Sequence, residues 1–304
     1  MFDNLWVEKY RPKTLSEYVI SDGNRKFLSK FNSGEIPHLL FTGHPGIGKT
    51  TLAKIIVNEI LKTKYLYINA SDENGIDTIR NKVIGFAQTR SITDSVKVVI
   101  LDESDSVSGE GQRALRNAME EYSKYTRFIL TANYRHRIIE PIQSRCQLID
   151  LTFTLDAAYE RINFILQSEK VQYIDSDVLA IVKDNYPDLR KTINTLQKFT
   201  IDGKLVLVQQ DTKQLIANIY KLVTSGHALK AREYMIKYQE QFNNDFVKLL
   251  KDLFDYVDSQ QIKDDQKKMS LITIHEYIYK AGFVMDQEIN TYACLLAVSK
   301  LFLA

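Results

Sequence analysis

Residues 43–50 read Gly43-His44-Pro45-Gly46-Ile47-Gly48-Lys49-Thr50, and the rest of the chain takes its place from them. They fit the phosphate-loop pattern G-x-x-x-x-G-K-[ST]. Just before them, Leu39-Leu40-Phe41 is an apolar run of the kind a buried strand shows, and after them Leu52, Ala53, Ile55 and Ile56 recur at helical spacing. The pattern therefore has the strand, loop and helix that its chemistry requires. Gly43, Gly46 and Gly48 let backbone N–H groups turn inward around phosphate oxygens, and the following helix adds the positive end of its dipole. Lys49 is placed to reach terminal phosphates and Thr50 to hold Mg²⁺. Pro45, Ile47 and Thr51 belong to the same expected nucleotide-binding stretch.

Outward from the loop, strand and helix patterns alternate. Tyr65–Asn69 reads as a strand, 76–88 as a helix, and Val96–Leu101 as a nearly continuous β-branched run suited to a strand buried on both faces. A helix over 110–122, a strand over 127–131 and a fifth strand over 147–151 follow. This order predicts an α/β domain with a five-stranded, parallel, doubly wound sheet, which binds its ligand at the carboxyl ends of the strands. Gly43, Asp102 and Asn133 all fall just past a strand's carboxyl end. Asp102 can hold Mg²⁺ through its water shell, while Glu103 orients and activates an attacking water. Asn133 is placed to polarise the same water.

Beyond Leu151 the patterns turn helical. Segments 156–169, 175–185 and 189–199 form a small helical group. After a turn at Asp202-Gly203, four or five helices follow from about Thr212, including 245–257 and 271–281. Three domains are expected: 1–152, 153–204 and 205–304.

The composition bounds what this chain can do. Its 304 residues carry a formal net charge of +2, which argues against coating nucleic acid through bulk charge. No apolar run approaches the ~20 residues that span a bilayer, and the N-terminus has no signal-peptide layout, so no membrane partner is expected. Cys146 and Cys294 form no zinc pattern, and the five histidines are scattered singly, so no structural metal is expected. Mixed-sign runs such as Lys263–Lys268 read as solvated caps or loops.

Several further stretches carry a family resemblance across nearly the whole chain. These are Val7-Glu8-Lys9-Tyr10-Arg11-Pro12, Asn69-Ala70-Ser71-Asp72-Glu73, Asp102-Glu103 with Asp105, Thr131-Ala132-Asn133, Ser144-Arg145-Cys146 and Asp188-Leu189-Arg190-Lys191. With the phosphate loop, they resemble the small subunits of sliding-clamp loaders, the replication factor C and T-even phage type, within the AAA+ ATPases. The resemblance implies ATP and Mg²⁺ as cofactors, a helical lid over 153–204 and a helical collar over 205–304. Tyr10, Arg11 and Pro12 would then lie near the adenine, Asn133 would be the first sensor and Arg190, from the lid, the second. Arg145 would be an arginine finger serving the ATP site of a neighbouring subunit.

The implied assembly is a pentameric spiral of copies of this chain with a distinct loader subunit. It would open a ring-shaped sliding clamp and load it on primer-template DNA during DNA replication. The compartment would be cytoplasmic, in the host cell for a viral chain, or nuclear for a eukaryotic one. DNA contacts would come from Gly75, Ile76 and Arg80, then Gln112, Arg113 and Arg116. About two phosphates neutralised by each of four copies would give a log-log salt slope near −7 despite the low net charge. Asn74 departs from the basic residue common in the family before Gly-Ile-Asp, which leaves open how DNA binding reaches Glu103. Two other readings stand beside this one: an AAA+ DNA remodeller or branch-migration motor, and a catalytically idle scaffold subunit. The intact Lys49, Asp102, Glu103 and Arg145 weigh against the scaffold.

Overall fold

The computed structural model describes residues 5–33, 36–72, 75, 77, 79–89, 96–206, 212–242 and 244–303. The chain divides into two compact units, Met1–Val206 and Leu207–Ala304. Among the described residues no helix is long and apolar enough to cross a membrane.

In the first unit, α1 (Trp6–Lys9) and α2 (Asp22–Leu28) precede strand β1 (His38–Thr42). The phosphate loop leads into α3 (Lys49–Ile55), which continues as a π-helical segment, Ile56–Ile60. After β2 (Tyr65–Asn69), a π-helical segment (Ile79–Ile84) runs into α4 (Gly85–Gln88). The expected start of this helix at Ile76 lies outside the described residues. Then come β3 (Lys97–Asp102), α5 (Gly109–Glu121), β4 (Thr126–Ala132), α6 (Glu140–Gln143) and β5 (Cys146–Asp150).

The five strands are parallel in the order β2-β3-β4-β1-β5, as the alternating pattern predicts. Every residue of β3 is buried, because helical segments and neighbouring strands cover the centre of the sheet. Lys97 is tolerated there since its ammonium donates to the carbonyls of Phe86 and Thr89 at the end of α4, where the helix dipole favours a cation. One half of the core joins Leu40, Val99, Leu101 and Leu130 to Ile79, Val83, Leu115 and Met119. Register does the functional work. Thr42 lies opposite Ala132 and Asn69 opposite Asp102, so Gly43, Glu103 and Asn133 emerge at one edge of the sheet.

Helices α7 (Leu155–Ser168), α8 (Asp175–Asn185) and α9 (Leu189–Phe199) complete the first unit. Thr154 caps α7 by accepting from Ala157 N at 3.2 Å, and Asp188 caps α9 by accepting from Lys191 N at 2.8 Å. A small antiparallel hairpin follows, β6 (Thr200–Ile201) and β7 (Lys204–Leu205), around the Asp202-Gly203 turn. Two-residue strands are too short to show alternation, so only the turn is visible in the sequence.

The N-terminal segment is fastened to these helices. Trp6 is buried, and its backbone N–H donates to Gln197 Oε1 at 2.9 Å. Lys9 pairs with Glu169 at 2.6 Å, and Arg161 donates to Tyr10 O at 2.7 Å.

The second unit consists of α10 (Thr212–Thr224), α11 (Ala228–Lys237), α12 (Phe246–Ser259), α13 (Asp264–Lys280) and α14 (Gln287–Leu303). Their shared core includes Leu215, Ile219, Met235, Leu250, Leu253, Ile274 and Leu295. Helix α13 starts seven residues earlier than its apolar pattern predicts. Of the run Lys263–Lys268, Lys263 is the N-cap, one of the two expected outcomes, and 264–268 form the first helical turns, where Asp264 and Asp265 complement the helix dipole.

Candidate nucleotide site

A cleft of about 620 Å³, open mouth included, lies in the first unit where three segments meet. Tyr10, Arg11 and Pro12 form one wall, Gly46, Ile47, Gly48 and Thr51 the floor, and Leu189, Arg190 and Ile193 the wall opposite. The three segments are distant in sequence and converge because α1 is held against α9 while the phosphate loop projects from the sheet between them.

The loop takes the conformation its glycines permit. Gly46 has φ +74° and Gly48 φ +98°, values a residue with a Cβ rarely adopts. Gly46 is also constrained by space, since a Cβ there would stand 1.8 Å from Asp188 Oδ1. Lys49 is buried, and its ammonium donates to Gly43 O and His44 O at 2.8 Å each. Burial lowers its pKa to about 8, opposed by the charges of Asp105, Asp102 and Glu103 and assisted by Arg190. An ammonium satisfied by its own loop's carbonyls can exchange them for phosphate oxygens held by the same loop.

Asp102 sits beside it at the end of β3. Thr50 Oγ1 donates to Asp102 at 2.8 Å from each carboxylate oxygen, Thr131 Oγ1 donates to Oδ1 at 2.6 Å, and Tyr67 OH donates to Oδ2 at 2.9 Å. A hydroxyl and a carboxylate in contact form an all-oxygen donor set, the chemistry that hard Mg²⁺ prefers, so these residues fit the ion. The fit to ATP rests on the glycine cradle and on Lys49. Glu103 is exposed and left-handed at φ +53°, and its N–H donates to Thr131 Oγ1 at 3.0 Å. The Thr131 hydroxyl thus ties both acids to β4. Asp105 Oδ2 accepts from the backbone N–H groups of Asn133 at 3.1 Å and Tyr134 at 3.0 Å, which fixes the turn that carries Asn133.

Other predicted site residues lie elsewhere. Arg145 immediately precedes β5, at the amino end of the sheet, where it pairs with Glu120 and donates to Pro141 O at 2.7 Å. It takes no part in its own chain's cleft. Of the residues assigned to DNA, Gly75 is exposed, Ile76 and the departure at Asn74 fall outside the described residues, and so does the side chain of Arg80. Arg113 is exposed, whereas Arg116 is half-buried and donates to Asn117 Oδ1 at 2.7 Å. Gln112 requires a correction. It is buried at 4% exposure, its amide donates to Val107 O and Arg137 O, and its Oε1 accepts from Ile139 N at 2.9 Å. Committed to three backbone groups, it joins two loops and offers nothing to a DNA backbone.

Three residues escape sequence reasoning. Arg161 lines the cleft, and burial lowers its pKa. Tyr18 packs under Gly48, its ring within 3.0 Å of where a Cβ would stand. Tyr67 reaches Asp102 from the neighbouring strand, and its pKa is raised by burial and then by the Asp102 charge. Strand register places Tyr67, and no local motif announces it.

Residues 39–153 match the family described as "ATPase family associated with various cellular activities (AAA)". Residues 158–206 match "Sliding-clamp-loader large subunit, AAA+ ATPase lid domain". The replication factor C small subunit of Thermofilum pendens is 36% identical over 97% of this chain and 96% of its own length. The chain belongs to the replication factor C small-subunit family. Another member, from Sulfurisphaera tokodaii, is 38% identical over 96% of the chain and 94% of the relative. With its AAA core and clamp-loader lid, this replication factor C family member is an ATP hydrolase with a clamp-loader role.

The fold also occurs in solved structures of Thermotoga maritima RuvB. One variant has a TM-score of 0.58 at 21% identity, covering 94% of this chain and 90% of that one. Another structure, titled a Holliday junction branch migration motor, has a TM-score of 0.55 at 23% identity, covering 86% and 85%. At this identity the likeness speaks for the fold alone.

Proposed function

We propose that the chain is the ATPase subunit of an assembly that opens a ring-shaped clamp, places it on primer-template DNA and releases it closed on hydrolysis. The observation that carries this reading is the division of the nucleotide site. Lys49, Thr50, Asp102 and Glu103 gather at the carboxyl edge of the sheet, beside a cleft that Arg190 lines, whereas Arg145 stands at the opposite end of the sheet. Such an arginine is available to a neighbour's nucleotide and not to its own, so a heterologous, head-to-tail assembly supplies what one chain lacks.

Within each site the chain's residues divide the work. The glycine loop and Lys49 hold the β- and γ-phosphates, Tyr10 to Pro12 wall the base, and Glu103 takes the proton of the attacking water while Asn133 orients it. Mg²⁺, held by Thr50 and through water by Asp102, would neutralise charge on the transferred phosphoryl group. Arg190 on α9 and Arg145 from the neighbour stabilise the charge that spreads over the equatorial oxygens. Because Arg190 lies on the lid and Arg145 on another subunit, loss of the γ-phosphate loosens both contacts and lets the assembly relax.

The functional division runs 1–152 for nucleotide, 153–204 for the lid and 205–304 for the collar. Tyr279, Phe283 and Met285 of the second unit are 68%, 76% and 103% exposed, an apolar surface suited to packing neighbouring collars and the distinct loader subunit. Arg113 and Arg116 on α5, with Gly75, Ile76 and Arg80 from the segment that follows β2, are the candidates for the DNA backbone.

The deciding experiment is the ATPase rate of the reconstituted assembly with clamp, with primer-template DNA, and with both. Synergy from both together is expected. Full stimulation by DNA without clamp, and indifference to the primer junction, would mark a translocating motor instead.

A further inference from the structure

We propose that Tyr67 is a positioning residue for hydrolysis, whose hydroxyl holds the Asp102 carboxylate in the orientation that serves the metal. The terminal torsion of an aspartate is broad and two-fold, so a carboxylate without fixed partners turns freely about its last bond. Asp102 has a fixed partner on each oxygen, Thr131 on Oδ1 at 2.6 Å and Tyr67 on Oδ2 at 2.9 Å. The two come from the strands that flank β3, one on either side. They therefore grip the plane of the carboxylate from opposite edges.

Thr50 is the third donor, at 2.8 Å from both oxygens, and its oxygen keeps lone pairs with which it can hold a metal while it still donates to Asp102. Tyr67 and Thr131 are the partners of Asp102 that lie on the sheet and not in the phosphate loop, so they orient the carboxylate independently of the loop. Groups that hydrogen-bond a metal's carboxylate typically control affinity or activity by about 10- to 100-fold.

Tyr67 is suited to this task rather than to packing. It lies on an edge strand, remains 38% exposed, and has Lys54 Nζ over its ring at 4.6 Å from the centroid. The ring is thus steadied by a cation and not by the core, and Tyr67→Phe removes one hydroxyl while leaving that contact in place.

The inference rests on the Mg²⁺–ATP reading of the site, and its test separates the two. Binding of a fluorescent ATP analogue to the full-length chain is titrated with Mg²⁺, alongside binding in EDTA and thermal melting in EDTA. For Tyr67→Phe we expect EDTA binding and melting like the parent chain, with the Mg²⁺ midpoint raised about tenfold. Tyr67→Leu, which also loses the ring, should show the same raised midpoint. An unchanged Mg²⁺ midpoint in Tyr67→Phe, with the parent chain metal-dependent, overturns the role of Tyr67 alone. So does a Leu variant that shifts the midpoint where Phe does not, since the ring would then be the active part. A parent chain whose binding ignores Mg²⁺ removes the metal reading and this inference with it.

Discussion

On the proposed function, Arg145→Ala isolates a step that one subunit performs for another. Strand β5 runs parallel to β1 with Cys146 opposite His38 and Asp150 opposite Thr42, so Arg145 lies level with Pro37. From there to Gly43 is six residues of chain, roughly 20 Å at about 3.3 Å per residue, beyond the reach of an arginine side chain. Its ion pair with Glu120 is solvent-exposed, 32% and 52% for the two side chains, so its loss costs at most about 1 kcal/mol of stability. Folding and nucleotide binding in the variant's own cleft should therefore be unaffected.

Turnover at the neighbouring site should instead fall by about 10³ to 10⁵, or roughly 4 to 7 kcal/mol of barrier. The assay is steady-state phosphate release by the assembled complex, run for Arg145→Ala, for Glu103→Gln and for a mixture of the two. Each variant alone is inactive. In an equal mixture, about one interface in four between copies joins an intact site to an intact arginine, so about a quarter of parental activity per interface should return. Near-normal turnover in an all-Arg145→Ala assembly, or a mixture no better than its components, would refute the reasoning.

Other outcomes follow from the same geometry. Lys49→Ala should abolish nucleotide binding, and unchanged ATP affinity would contradict the role of the loop. The parent chain should take up about half a proton per nucleotide at pH 8 and almost none at pH 6.5, because the free Lys49 titrates at about 8 and phosphate oxygens raise its pKa. Calorimetry in buffers of different ionisation enthalpy reads this directly. For folding the sign is opposite to a salt-bridged lysine: the folded pKa lies below 10.5, so the contribution of Lys49 to stability rises between pH 8 and 10.5.

Gly46→Ala should destabilise by on the order of 2 kcal/mol, from the left-handed backbone and from displacing the Asp188 oxygen that caps α9. In an Asp188→Ala background the cost should shrink to about 1 kcal/mol, and an unchanged cost in denaturant unfolding would dismiss the clash. Arg113→Ala in every copy should reduce a DNA salt slope near −7 to roughly −3.5, as about four counterions cease to be released. A slope that does not move would place the DNA contacts elsewhere.

What the sequence determined by itself is whatever a short window can encode. The glycine pattern of the phosphate loop, the β-branched run before Asp102 and the periods of the helices are local, because backbone conformation and one-sided burial act over a few residues. From these the alternation of elements, the parallel sheet and the edge carrying Gly43, Asp102 and Asn133 all follow.

Tertiary structure alone decided how residues far apart in the chain meet. Gln112 has the composition of a DNA contact and the burial of a core residue, because two loops happen to need its amide. Tyr67 and Arg161 carry no motif and reach the site through strand register and the docking of the lid. Arg145 follows the same rule in reverse. The resemblance makes it a candidate catalytic group, but its place just before β5 puts it at the far end of the sheet from its own chain's phosphate loop, where it could serve only another subunit.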